Sequence, residues 1–299
     1  MIKGYATAQA TVNFIEKHLP KARAALGTTG LAVSQAGFGG YRIQMGIQRH
    51  ADALVRALLG GVNFIDTSAN YGDGGSETLI GHVLEQLIGD GNIDRQEVVV
   101  VSKVGYLQGA NLALAAEREQ AGEAFEEVVP YGKGIAHCIH PDFIEDQLTR
   151  SLARLQLDRL VGDLLHNPEY YLDHAKKEGR PLDDARGEYY RRIGNAFEQL
   201  EREAARGRIQ FYGISSNTFP AASNDPEFTD LTRVWEIARE ISADHHFKLV
   251  QMPLNLLETA AAIKPNQPGG ETVLTFAHKQ GLGVLVNRPL NAFDGKHLI

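Results

Sequence analysis

Side chains able to move protons or orient a small polar molecule recur through this sequence, each after a short apolar run. Asp66 ends one run and Tyr71 lies five positions beyond it; Lys103, His166, the Ser215-Ser216-Asn217 triplet, Gln251 and the Asn287-Arg288 pair end others. A carboxylate, a phenol, an amine and an imidazole together suit general acid–base work. Amides and hydroxyls suit a group that offers both a donor and an acceptor. Singly, each residue has a plain reading. Tyr71 is then a packing residue, Lys103 a solvated strand end, His166-Asn167-Pro168 a turn and Asn217 a loop residue. What separates the two readings is whether the fold brings the ends of these runs together.

Seven apolar runs read as buried strands: residues 33–38, 62–66, 98–103, 160–166, 209–215, 248–252 and 283–286. Between them, residues 50–59, 77–87, 141–155, 189–206, 226–241 and 271–280 carry helical periodicity. Ser76-Glu77 resembles a helix cap with an acidic first turn, Gly60-Gly61 and Gly207 end helices, and Pro141 suits a first turn. Ahead of these lie an amphipathic segment at 7–19 and, at 25–34, a hairpin pattern built on Gly27 and Gly30.

Strict strand–helix alternation implies a parallel sheet with right-handed crossovers, either a closed barrel or an open doubly wound sheet. In a barrel, every strand end converges on one rim; in an open sheet, only those near the switch point meet. Polar residues end six different predicted strands, and Gly37-Phe38-Gly39-Gly40 runs into Tyr41-Arg42-Ile43 with no Gly-x-Gly-x-x-Gly fingerprint. The expectation is an α/β (β/α)8 barrel of the TIM type. Residues 1–25 form an N-terminal helical extension and 26–299 the barrel, with rim insertions near 104–140 and 168–188 that read as lids or substrate loops.

Ordered marks along most of the chain resemble the aldo-keto reductase family. They are Leu26-Gly27-Thr28-Thr29-Gly30-Leu31, the run from Gly61 through Asp66-Thr67-Ser68-Ala69-Asn70-Tyr71-Gly72, Ser76-Glu77, Val101-Ser102-Lys103-Val104 and Ser151-Leu152-Ala153-Arg154-Leu155. Leu165-His166-Asn167-Pro168, Gly213-Ile214-Ser215-Ser216-Asn217 and Gln251-Met252-Pro253-Leu254-Asn255 follow. The resemblance implies an NAD(P)(H)-dependent oxidoreductase that interconverts an alcohol with an aldehyde, ketone or sugar carbonyl by hydride transfer. It makes Tyr71 the general acid and base, Lys103 the charge that depresses the phenol's pKa of about 10, Asp66 the partner of Lys103, and His166 a hydrogen-bond donor to the substrate oxygen.

The same resemblance implies cofactor contacts from Gly40, Tyr41, Asp66, Ser216, Asn217, Gln251, Asn287, Arg288 and Leu290. NADP is the expected cofactor, with NAD the alternative, and no metal takes part. Two departures stand out. Val286-Asn287-Arg288-Pro289-Leu290 puts Asn287 where many family members stack an aromatic ring on the nicotinamide, and Arg288 reads either as a pyrophosphate contact or as a salt-bridged rim residue. The chain also reaches Ile299 without an eighth strand and helix, and Gly295-Lys296-His297-Leu298-Ile299 reads as cut in mid-element. A missing C-terminal segment, or a strand from a partner chain, would complete the barrel.

Two other classes compete: a nicotinamide-binding regulatory or accessory subunit with little turnover, and a metal hydrolase on Asp66 and His166. The hydrolase lacks a His-x-His pattern on its first strand, and His137-Cys138 with His140 has no fourth ligand at zinc-site spacing. Composition narrows the rest. Of 299 residues, 43% are apolar and 22% charged, as in ordinary globular chains. A net charge of −7 with no long basic run excludes an electrostatic nucleic-acid binder. Cys138 is the one cysteine, no 18-residue window is free of charge and polarity, and the first residues lack a secretory signal. A cytoplasmic protein with a small-molecule partner and no membrane span is expected.

Overall fold

The computed structural model describes residues 1–291. The sheet that organises it holds seven strands among these residues: β1 (Phe38–Gly39), β2 (Phe64–Asp66), β3 (Val99–Val104), β4 (Leu160–His166), β5 (Ile209–Ser215), β6 (Phe247–Pro253) and β7 (Gly283–Asn287). Each pairs in parallel with its neighbour in chain order, and the order never reverses. A doubly wound sheet must reverse at its switch point; a barrel does not. Among the described residues the architecture is therefore a (β/α) barrel short of one strand. The expectation for 295–299 lies outside the described residues.

The helices are α1 (Ala8–His18), α2 (Gln48–Leu59), α3 (Gly75–Gly89), α4 (Ala110–Gln120), α5 (Pro141–Leu155), α6 (Tyr170–Lys177), α7 (Leu182–Ala205), α8 (Leu231–Ile241), α9 (Ala260–Ile263) and α10 (Val273–Lys279). None is long and apolar enough to cross a membrane. Their boundaries follow local chemistry. Pro141 opens α5 while His140 Nδ1 accepts from the Asp142 N–H, and Asp230 caps α8 by accepting from Thr232 N–H.

Several boundaries differ from the sequence expectation. The run 33–38 splits, because Ala32–Ser34 pairs antiparallel with Arg23–Ala25 and only Phe38–Gly39 enters the barrel. Helix α3 begins at Gly75 behind Gly74 (φ +86°), and Ser76 donates to Gly40 O instead of capping. Helix α7 starts at Leu182, inside the second insertion, and α8 starts only at Leu231. The first insertion is ordered: Tyr106–Leu107, Val129–Gly132 and Ile135–His137 form a small antiparallel sheet beside α4.

Side-chain alternation decides what faces the barrel axis. Phe64, Val99, Val101, Leu164, Leu249 and Leu285 form an inner apolar cluster with Leu26, Leu31 and Val33 of the hairpin, which plugs one end. Strand side chains alternate with a period of two, so residues two beyond these inner positions also face inward, at the C-terminal rim. Those residues are Asp66, Lys103, His166, Gln251 and Asn287. Gly213 completes the pattern one strand further and sends Ser215 inward. A Cβ there would lie 1.9 Å from Leu249 O, so only glycine fits. A larger cluster that includes Val100, Leu165, Ile214 and Val250 joins the outer sheet face to Leu84, Ile144, Phe197 and Val234 of the helices.

Candidate active site

Asp66, Tyr71, Lys103 and His166 arrive from three strand ends and one loop. Lys103 Nζ lies 2.8 and 2.9 Å from the two carboxylate oxygens of Asp66, 2.9 Å from Thr67 O and 3.3 Å from Tyr71 Oη. Its side chain is fully buried. Burial alone would disfavour the ammonium; the Asp66 carboxylate and Tyr71 outweigh it and hold the Lys103 pKa above its ordinary value. The loop between Asp66 and Tyr71 is stitched to the same lysine, because Ala69 N–H donates to Lys103 O and Tyr71 N–H to Ser68 O.

The expectation that Lys103 depresses the Tyr71 phenol meets a larger opposing effect. Burial raises the Tyr71 pKa above 10.0; Lys103 pulls it down, and Asp66, whose charge offsets that of Lys103, pushes it up again. The pair is thus held as a neutral phenol beside a charged ammonium. His166 Nδ1 lies 3.1 Å from Ser68 Oγ, and the His166 ring stands edge-on to Tyr71 at 6.0 Å and to Tyr106 at 4.8 Å. Burial, then Lys103 and His137, depress its pKa well below 6.5, so the imidazole is neutral.

The residues expected to hold a cofactor differ in what already holds them. Gln251 sits in the site but is tied to it: its Nε2 donates to Asp66 Oδ1 and its Oε1 accepts from Ser215 Oγ, both at 2.9 Å. Asn217 is exposed above β5, with its N–H donating to Glu169 Oε1 and its Nδ2 to Asn167 Oδ1. Ser216 is fully buried, and its hydroxyl turns toward Thr218 and Thr229, away from the rim. Parity along β5 predicts this, since Ser215 and not Ser216 continues the inward positions.

Gly40 lies against Ser76 and Thr67, and a Cβ there would meet Ser76 Oγ at 2.5 Å. Tyr41 is 66% exposed, with its ring 5.2 Å from that of Tyr71. Arg288 pairs with Glu258 Oε1 at 2.6 Å, the salt-bridged reading, and Leu290 is 93% exposed. Asn287 presents a buried Oδ1 with no partner among the described residues. An orphaned acceptor is what a carboxamide N–H would satisfy, so the residues at this rim fit a nicotinamide.

Sequence reasoning missed the groups that hold these side chains in place. Ser68, Asn70 and Asn167 orient the rim through hydrogen bonds, and Asn167 Nδ2 donates to Tyr106 Oη from the first insertion. Glu169 is buried, and desolvation pushes its carboxyl up to about 7. Glu77, expected only as an acidic first-turn residue, is fully buried, accepting from Ser102 Oγ at 2.5 Å and Arg154 Nε at 2.7 Å. The neighbours His137, Cys138 and His140 serve separately: His137 Nε2 bonds His166 O, Cys138 Sγ bonds Glu126 O, and His140 caps α5.

The described residues form a seven-stranded β/α barrel sheet with a carboxylate–lysine–tyrosine chain and a histidine at its C-terminal rim, an arrangement suited to general acid–base chemistry. The sequence comparison settles the family. The sequence model of the Aldo/keto reductase family matches residues 35–292, and the chain belongs to that family.

Among curated relatives, a 6-dehydroglucose reductase of Novosphingobium aromaticivorans is 31% identical over 178 residues, 56% of this chain and 48% of that protein. An NADH-specific methylglyoxal reductase of Escherichia coli is 29% identical over 149 residues, 47% of this chain and 40% of the relative. The matched stretch thus spans less than half of each relative's length. A crystal structure of an aldo/keto reductase from Klebsiella pneumoniae in complex with NADP and acetate shares the fold at TM-score 0.53 and 21% identity, over 89% of this chain and 68% of that one.

Proposed function

We propose that this chain interconverts a carbonyl and an alcohol with a nicotinamide cofactor, using Tyr71 as the general acid and base. The observation that carries this reading is the chain Asp66–Lys103–Tyr71, with Lys103 fully buried and bonded to both partners. When bound, the nicotinamide supplies or takes up the hydride. In reduction the carbonyl carbon gains that hydride, and its oxygen takes the Tyr71 hydroxyl proton. The resulting phenolate is stabilised by the Lys103 ammonium and regains its proton from solvent. A neutral phenol beside a charged lysine is poised to give a proton, which favours the reductive direction.

The Asn287 amide, with its unpaired acceptor, and Asn217, held by Glu169 and Asn167, would hold the carboxamide, while Gln251 fixes Asp66. NADP is supported by the bound cofactor of the Klebsiella pneumoniae structure, and NAD by the name of the Escherichia coli relative. A sugar-derived carbonyl is supported by the name of the Novosphingobium aromaticivorans relative.

Turnover should be followed with NADPH and NADH in parallel on a panel of aldehydes, ketones and sugars. Tyr71→Phe is expected to lower turnover by about two orders of magnitude or more while leaving cofactor binding by fluorescence titration intact. Turnover that survives this substitution removes Tyr71 from the role.

A further inference from the structure

Tyr71 leads into a turn whose backbone is unusual. Gly72, Asp73 and Gly74 follow it at φ +57°, +54° and +86°, so three successive residues take the left-handed conformation. Glycine adopts that conformation freely and is correspondingly hard to hold in one state; Asp73 adopts it at a steric cost that glycine avoids. A residue held there persists because its surroundings fix it.

What fixes Asp73 is the first insertion. Both of its carboxylate oxygens lie 3.1 Å from the N–H of Ala110, the first residue of α4. Helix α4 lacks a cap of its own, because its cap position is Gly109, which has no side chain to offer. A carboxylate is also the group favoured beside the positive end of a helix. Gly109 itself stands at φ +52°, and a Cβ there would lie 2.5 Å from Asp73 Oδ1, so only glycine lets the two segments meet. One residue earlier, Gln108 Nε2 donates to Asn70 O at 3.1 Å, an orientation set by a backbone carbonyl that can only accept. Gln108, Gly109 and Ala110 thus grip the loop on both sides of Tyr71.

The phenol depends on where that loop sits. Tyr71 Oη is 3.3 Å from Lys103 Nζ, long for a hydrogen bond, so a small displacement breaks the contact. The backbone bonds of Tyr71, from its N–H to Ser68 O and from Ser76 N–H to its own carbonyl, both lie within residues 68–76. We propose that Asp73 is a positioning residue for the proton transfer: docked on α4, it holds the Tyr71 loop so that the phenol stays within reach of Lys103. The kinetic part of this inference rests on the assignment of Tyr71; the grip itself does not.

Hydrogen–deuterium exchange of the full chain tests the grip without turnover. Asp73→Gly removes the acceptor, and the amides of residues 70–76 are expected to exchange several-fold faster than in the wild type after correction for the substituted residue. Asp73→Asn keeps an oxygen that accepts and a side chain that tolerates a positive φ, so its exchange is expected to stay close to the wild type. Exchange unchanged in Asp73→Gly, or equally fast in both variants, overturns the proposal.

In turnover with NADPH and NADH on the carbonyl panel, Asp73→Gly is expected to lower kcat about fivefold, the worth of roughly one hydrogen bond, with cofactor affinity unchanged. Its melting temperature is expected to hold, because relief of the strained φ offsets the lost bond. Asp73→Asn should restore most of the rate. Gly109→Ala should also lower kcat by driving the carboxylate off α4, and the double variant should lose no more than Asp73→Gly alone. Additive losses, a fall in kcat matched by a fall in stability, or a rate unchanged in Asp73→Gly while Tyr71→Phe abolishes turnover each overturn the positioning role. Turnover that survives Tyr71→Phe overturns the kinetic part together with the Tyr71 assignment, and the exchange rates still decide the grip.

Discussion

Burial works in opposite senses on neighbouring ionisable groups, and the partner decides the outcome. Lys103 keeps its charge because Asp66 grips it with both oxygens; His166, near the same ammonium, loses its charge. For Asp163 the help is too small: Arg208 and the Leu164 N–H pull its pKa down by less than burial raises it. It is 2% exposed on β4, and desolvation, with Glu77 and Glu203 nearby, pushes its carboxyl from 3.8 up to about 8. The folded chain therefore holds a proton that the unfolded chain releases near pH 4. The stability this lends is present at low pH and is lost progressively as pH rises from about 4 to about 8. Asp163→Asn does not titrate, so its melting temperature minus that of the wild type should grow across this window and level off above it. Differential scanning fluorimetry at stepped pH checks the slope, and a flat difference removes Asp163 as its source.

Elements are locked to one another by polar contacts under the rim as much as by apolar packing. Glu77 on α3 reaches both Arg154 on α5 and Ser102 on β3, the residue next to Lys103. Removing one member of a buried ion pair leaves the other unpaired and costs about 3 kcal/mol or more. Glu77→Ala is expected to lower unfolding free energy by about that much in urea titration, with Asp163 losing one of the charges that raise its pKa. A change within about 0.5 kcal/mol would show that Arg154 and Ser102 find solvent or other partners. The insertions act at this scale as well. Tyr106 and Gln108 from the first hold Asn167 and Asn70, so segments that read as lids are part of the scaffold of the site.

At the scale of the whole molecule, the two ends of the sheet have separate duties. The C-terminal rim carries the polar inward residues, while the hairpin closes the other end, its turn docked by Thr28 N–H and Oγ1 on Gly281 O at 2.8 and 3.0 Å. Gly27 lies there at φ +54°, where a Cβ would come 2.4 Å from Gly283 N. Leu26 is 2% exposed in the plug. Leu26→Ala should cost roughly 2–5 kcal/mol of stability. Cofactor affinity, set at the opposite end, should stay within about twofold of the wild type, because well-separated sites act independently. Chemical denaturation and fluorescence titration of the same variant compare the two directly, and a parallel loss of affinity would show that the plug shapes the rim.

The sequence by itself determined the barrel and the polar residues that end its strands. A period of two along each strand, together with polar residues ending so many different strands, leaves few other topologies that could use them. The same period assigns Ser215 rather than Ser216 to the interior once the inward position of Gly213 is known. Which partner each side chain takes was decided by the tertiary structure alone. Arg288 meets Glu258, Gln251 meets Asp66, and Ser68 Oγ lies against Lys103 O and His166 Nδ1 from two different strand ends. Hydrogen bonds are settled over about 3 Å between residues far apart in the chain, and local spacing carries no information at that range. The net direction of the Tyr71 pKa belongs there too, since it is a balance of burial against two opposed charges that only the assembled rim brings within reach of one phenol.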